Sequence, residues 1–241
     1  EVFEKRFGFP LVEVWGMTET GRIFADSIEP RQIHTRAFGR PIGEMQARVV
    51  DEKDQDVPAG SEGELLVNCI GDDPRRGFYA GYLKNEEATE EAWKGGWFHT
   101  GDTVRQDESG MIYFVDRKKN IIRRSGENIA AAEVEAVLQA HDDVAKVAVI
   151  AVKDEIREEE VMACIVPMDG VETSEEKARE IFDYSNNSLA YFKTPGWILF
   201  LDDLPTTGTQ KIQKTKIFGA DVDPRDQPGA FDFRKLKKKS K

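Results

Sequence analysis

Past Asp116 the residue pattern changes period, and no single regular architecture fits both sides of that change. Up to about Val115, short apolar runs alternate with turn signals rich in Gly, Pro and Asp. LVEVW (11–15) reads as a short buried strand. MQARVVD (45–51) and GELLVN (63–68) read as a hairpin with the long loop DEKDQDVPAGSEG between them. EEATEEAW (86–93) reads as a short helix and MIYFV (111–115) as a strand. Many short strands with few helices suggest a barrel- or sandwich-like module over residues 1–115, and the expectation adopted is a partly open β-barrel-like module. Beyond it, NIIRRS is a short strand, and Ala131, Val134, Val137 and Leu138 recur on one helical face. VAKVAVIAV (144–152) and EVMACIV (160–166) are β-branched strands. Thr173 and Glu176 form a capping box that opens a helix over about 174–189, and WILFL (197–201) is strand-like. The order β-α-β-β-α-β predicts a small α+β C-terminal domain over 121–241. The charged DRKKN (116–120) between the two is suited to a hinge. The expected fold class is therefore α+β.

Composition narrows the function classes. With 39% hydrophobic and 10% aromatic residues in 241, the chain can support packed cores rather than disorder. The formal net charge is −11, although RKLKKKSK (234–241) carries six positive charges and no acid. So acidic a body argues against a nucleic-acid surface. The basic tail could contact anionic lipid at the periphery, or nucleic acid; its ordinary reading is a solvated, frayed end. Cys69 and Cys164 sit in apolar strand-like runs, which fits buried free thiols in a reducing, cytoplasmic compartment. No apolar run reaches the ~18–20 residues of a membrane span. The first residue is Glu1, so a targeting signal cannot be assessed.

Several segments carry candidate chemistry, each beside an ordinary structural reading. WGMTE (15–19) places a Thr hydroxyl and a Glu carboxylate at a strand mouth, suited to a phosphate and a hard cation such as Mg²⁺, or simply to a capped turn. In GWFHTGD (96–102), Asp102 could accept from ribose hydroxyls, or Gly101-Asp102 could be a plain turn. In RRSGEN (123–128), Gly126 allows close approach of a ligand or a second backbone. LPTTGTQKIQK (204–214) is a polar loop with Lys211 near its end and lacks the G-x-x-x-x-G-K-[ST] pattern of a nucleotide P-loop. A calcium loop over 51–62 fails, because Lys53 takes a ligand position and the central glycine is missing. His34, His99 and His141 are too dispersed for common zinc motifs, and no G-x-S-x-G elbow occurs.

Taken in order, WGMTE, GELLV, GWFHTGD, YFVDRKKNIIRRSGENIAAAEVE and LPTTGTQKIQK resemble the adenylate-forming superfamily. That family includes acyl-CoA synthetases, luciferases and peptide-synthetase adenylation domains. The resemblance covers about residues 8–217, and FVDRKKNIIRRSGENI is most similar to bacterial ligases that join aliphatic or carnitine-type acids to coenzyme A. It implies ATP-dependent conversion of a small-molecule carboxylic acid to acyl-AMP, then transfer of the acyl group to coenzyme A. It also implies roles. Trp15 and Gly16 would lie against the nucleotide, Thr18 would bind the α-phosphate, and Glu19 would ligate Mg²⁺. Asp102 and Arg117 would hold the ribose of ATP or AMP. Lys211 would bridge carboxylate and phosphate, Lys119 would be the hinge residue, and Gly126 would border the pantetheine tunnel. Gly16 and Met17 would lie beside the head of the acyl group.

Three departures from the family pattern stand out. The glycine- and Ser/Thr-rich phosphate loop is missing, so the chain is expected to be the C-terminal portion of a longer ligase and inactive in adenylation by itself. Gln210 replaces the usual glycine before the lysine, and Gly208 replaces a common proline. Two alternatives remain: an enzyme that loads a carrier protein's phosphopantetheine, whose dock needs no basic groups, whereas the phosphates of coenzyme A would call for ones such as Arg123 and Arg124, and a non-catalytic binding module. The particular acid and the oligomeric state are open.

Overall fold

In the computed structural model, which describes residues 2–237, the chain parts between Lys119 and Asn120 into two units, each with its own core. The first unit holds α1 (Val2–Phe7), β1 (Val14–Met17), β2 (Gly21–Ala25), β3 (Ala37–Pro41), β4 (Met45–Val50), β5 (Glu62–Cys69), α2 (Glu86–Ala92), β6 (Phe98–Gln106) and β7 (Ile112–Arg117). Its strands form one antiparallel sheet in the order β1-β2-β3-β7-β6-β5-β4. β1 and β4 end that order, so the barrel-like module is an open sheet and not a closed barrel. The β4–β5 hairpin pairs Met45 with Cys69 through Val50 with Glu64. One sheet face buries Phe24, Phe38, Leu65, Val67, Phe98, Val104 and Ile112, and Trp93 after α2 closes over them.

LVEVW differs from expectation. Leu11, Val12 and Val14 are exposed, Val14 at 43%. The physical reason is position: β1 is an edge strand whose only strand partner among the described residues is β2. The helix α1 was not foreseen. It spans six residues, buries none of them, and is too short to show a helical period. Its Phe3 and Phe7 rings cluster with Phe9 instead.

The second unit holds β8 (Ile121–Arg124), β9 (Glu127–Ala130), α3 (Ala131–Gln139), β10 (Val144–Asp154), β11 (Glu158–Pro167), α4 (Glu175–Ser188), β12 (Trp197–Phe200) and β13 (Phe231–Asp232). β11 is the organising strand. It pairs with β10 along its length, runs parallel to β12, and meets β8 at Glu158–Arg124. β10 and β11 are apolar at successive positions because both faces are covered. Val147, Val149, Val161, Ala163 and Ile165 pack with α3 and α4. Ala148, Val152, Met162 and Cys164 face Leu199 and Leu204, with Ile212, Ile217 and Phe218 around them. Both cysteines are free and buried.

Two local expectations need correction, and the DRKKN segment takes a definite form. The cap of α4 is Ser174, whose hydroxyl accepts from the Lys177 amide at 3.2 Å, so the capping register begins one residue after Thr173. Within DRKKN, β7 runs through Arg117, and Lys118–Asn120 form a single 3₁₀ turn. The start of the basic tail is not frayed. β13 pairs with β12, Phe233 joins the core, and Lys237 is buried at 1% side-chain exposure. Residues 238–241 of the tail lie outside the described residues. Among the described residues no helix is long and apolar enough to cross a membrane.

Candidate active site

In the first unit the site is built where the edge of the sheet meets the centre. β1 enters a tight turn over Thr18, Glu19 and Thr20, then returns as β2. Thr20 pins the turn: its hydroxyl accepts from the Met17 amide at 3.0 Å and donates to the Gly21 carbonyl at 2.8 Å. Gly16 sits at a register shift, where a Cβ would collide with the Gly21 carbonyl, so only glycine fits. Thr18 is exposed. Glu19 is half-buried, its carbonyl accepts from the Tyr79 amide at 2.8 Å, and its carboxylate accepts from the Tyr82 hydroxyl at 3.2 Å. Burial, then the nearby Glu19 charge, pushes the Tyr82 phenol above its ordinary range, so Tyr82 remains a donor.

Trp15 ties this turn to Asp102. The indole packs against Phe38 and, edge-on, against Phe24, and its Nε1 donates to Asp102 Oδ2 at 2.9 Å. Asp102 lies on β6 directly opposite Arg117 on β7 and is 1% exposed. Arg117 Nε stands 2.9 Å from Asp102 Oδ1. That approach is a charge contact only, because Oδ1 is buried and no N–H is aimed at it. A buried carboxylate oxygen without a donor suits a ligand hydroxyl. Burial raises the Asp102 carboxyl above the ordinary Asp range; the Arg117 charge and the Trp15 hydrogen bond oppose this, and Asp116 and Glu64 add to the rise.

Beside Asp102 lies a second ionic cluster that sequence reading missed. Buried Glu64 bonds Lys118 Nζ at 2.7 Å, lies 3.4 Å from His99 Nδ1, and accepts from the Gly101 amide at 3.2 Å. Burial favours the neutral acid, but Lys118 and His99 together outweigh it and hold Glu64 below the usual range. The available signal was an acid inside the apolar run GELLV. Tyr82 had no comparable signal.

The second unit carries the other candidates. Lys211 is exposed on a closed loop. The Thr207 amide donates to its carbonyl at 2.8 Å, its own amide donates to Thr207 Oγ1 at 3.1 Å, and Thr206 bridges Ile212. Gln210 has φ of 64°, a left-handed conformation that favours glycine. The ideal Cβ at Gly208 meets open space. Gly126 forms a two-residue turn with Ser125, both at positive φ, between the paired Arg124 and Glu127. Lys119 is exposed in the 3₁₀ turn. Arg123 is exposed, whereas Arg124 is buried against Glu160. The basic pair in RRSGEN thus does not present two guanidinium groups to solvent. The structure therefore gathers Trp15, Asp102 and Arg117, with Gly16, Thr18 and Glu19 on the turn that follows Trp15, in the first unit. Gly126 and Lys211 belong to the second.

Residues 1–72 match the family model for AMP-binding enzymes, and residues 133–211 match that for the AMP-binding enzyme C-terminal domain. The chain belongs to the AMP-binding enzyme family. Within it, the chain is 36% identical over 221 residues to a crotonobetaine/carnitine–CoA ligase of Salmonella paratyphi B, covering 90% of this chain and 41% of that protein. The chain thus spans about two-fifths of the length of the curated relatives it matches. Among solved AMP-binding relatives, o-succinylbenzoate CoA synthetase from Bacillus subtilis, in complex with its acyl-adenylate intermediate, is 30% identical with a TM-score of 0.76 over 91% of this chain and 43% of that one. ATP-bound MatB from Rhodopseudomonas palustris is 28% identical with a TM-score of 0.72 over 88% of this chain and 41% of that one.

Proposed function

We propose that this chain is the nucleotide-handling portion of an acid–thiol ligase. A carboxylate oxygen attacks the α-phosphorus of ATP, the bond to pyrophosphate breaks, and acyl-AMP forms. The sulfur of coenzyme A then attacks the acyl carbon, and AMP leaves with the bonding pair. The observation that carries the nucleotide reading is Asp102: a buried carboxylate, held by Trp15 and faced by Arg117, whose Oδ1 has no donor. Ribose hydroxyls supply such donors.

The remaining roles follow from chemistry and exposure. The half-buried Trp15 indole supports the base, and Gly16 lets the backbone approach closely. The exposed Thr18 hydroxyl donates to the α-phosphate. Glu19, a hard oxygen donor aimed by Tyr82, fits a divalent cation. Mg²⁺ there would neutralise phosphate charge as the carboxylate approaches. Lys211 is a mobile point charge suited to bridging carboxylate and phosphate. Lys119 would be the pivot by which Lys211 withdraws and the Gly126 hairpin takes its place. The hairpin Cβ position is open, which suits a narrow thiol arm.

One observation favours a second reading, transfer to a carrier-borne phosphopantetheine. Arg124 is bound to Glu160, which reduces the exposed basic character beside Gly126. Two experiments test the proposal. Calorimetric titration of the chain with AMP should show binding that weakens at least tenfold in Asp102→Asn, about 1.4 kcal/mol. Equal affinity in both removes Asp102 from the ribose. ATP–pyrophosphate exchange by the longer protein against a panel of carboxylic acids, followed by coenzyme A or a carrier as acceptor, tests the reaction and names its thiol.

A further inference from the structure

The family model for the C-terminal domain ends at Lys211, yet the chain continues in order to Lys237. This added segment returns to the sheet. β13 pairs with β12, with Trp197 opposite Asp232, and the Phe233 ring packs at a tilt on Phe182 of α4, centroids 5.2 Å apart. Arg234 then bonds Asp154 at 2.9 Å and Asp232 at 2.8 Å. The segment ends with Lys237 turned inward, its ammonium on Glu160 Oε1 and, at 3.3 Å, on the Phe192 carbonyl.

Glu160 is the centre of this arrangement and is itself 0% exposed. Both its oxygens accept from Arg124 Nε, at 2.9 and 2.8 Å, and Oε1 also accepts from the Val161 amide at 2.9 Å. The backbone at Gly196 closes over it so tightly that a Cβ would collide with the carboxylate. Arg124 in turn is the last residue of β8 before Ser125 and Gly126, and its side chain is 5% exposed. Three charged groups therefore lie in line, from the chain's last described residue to the base of the Gly126 hairpin. Arg124 and Lys237 border a cleft of about 470 Å³ whose lining includes Ser125, Glu127, Arg157 and Arg234.

We propose that Lys237 is a positioning residue for the Ser125–Gly126 hairpin: it holds Glu160, which holds Arg124 at the hairpin's base. Arg124 by itself could satisfy only part of the Glu160 carboxylate in a dry site. With Lys237 removed, Glu160 loses a partner, so its hold on Arg124 must compete with rearrangement toward solvent. What the hairpin does rests on the reading above; that it is held from the C-terminal segment does not.

Hydrogen–deuterium exchange on the chain tests this without any assay of activity. In Lys237→Met the amides of 122–129 should exchange about tenfold faster, while those of α4 and β10 keep their wild-type rates. Uniform acceleration across the unit, which a merely structural role produces, overturns the proposal, and so does an unchanged hairpin. Wild type supplies an independent measure should the variant fail to fold. Under rising urea, residues 122–129 and 231–236 should share one opening transition; separate openings overturn it. A chain that binds no AMP but shows this coupling would refute the nucleotide reading alone.

Discussion

At the residue scale, two side chains stand in conformations or surroundings that ordinarily disfavour them. Gln210 holds φ of 64° beside Lys211. A left-handed conformation costs an L-residue roughly 1–2 kcal/mol, and glycine returns about 0.5–1 kcal/mol of that as lost chain entropy. Gln210→Gly should therefore stabilise the second unit by about 0.5–1 kcal/mol in urea unfolding. Lys237 is held down to about 8, mainly by burial, with Arg124 and Arg157 adding to the effect and Glu160 opposing it. Its folded value lies below its unfolded value, about 10.4, so between the two the unfolded state binds more protons. Stability from this group consequently rises as pH climbs from about 8 toward 10.4. Thermal midpoints of wild type and Lys237→Met across pH 7 to 10 check the sign, since the variant should lack that rise.

At the scale of elements, the caps and strand pairings decide what the pattern could reveal. The hairpin β4–β5, the helix α3 and the strands β10 and β11 were legible because their signals are local: period, β-branching and turn residues within one run. The cap of α4 was misread by one residue because Thr173 and Ser174 both carry a hydroxyl before the acidic turn. Only the amide geometry separates them. Ser174→Ala should cost about 1 kcal/mol, and Thr173→Ala close to nothing. Chemical denaturation of the two variants distinguishes them. The Trp15–Asp102 bond was not legible as a contact, since the partners are 87 residues apart and neither run shows the other's presence. β13 was missed for a related reason. It is two residues long, and its place follows from Phe233 and Lys237 finding partners on distant elements.

At the scale of the whole molecule, each unit carries a separate core, one around Phe24, Phe38 and Phe98, the other around Phe182, Val161 and Ile165. Phe182 is essentially buried, and truncation of such a ring costs about 3–5 kcal/mol. Phe182→Ala should then lower the unfolding transition of the second unit by that amount and leave the first in place. Far-UV dichroism together with fluorescence of first-unit tryptophans would show whether the two respond separately. The chain parts into its two units between Lys119 and Asn120, and the open form of the first sheet was not readable from the sequence. Closure depends on which strands become neighbours, and the short runs carry no record of that.

The strand β7 ends in the site itself. Arg117 faces Asp102, and Lys118 is fastened to Glu64, so the first unit grips the chain up to the residue before Lys119. On the proposed function this makes the pivot's bearing and the nucleotide's seat one piece of machinery. On that proposal, a ribose settling on Asp102 would stiffen the mount of the proposed pivot. By reciprocity, a pull transmitted along the chain through Lys119 loosens the seat. Torque and occupancy would then be two readings of a single spring, and force applied across the linker should speed release of AMP.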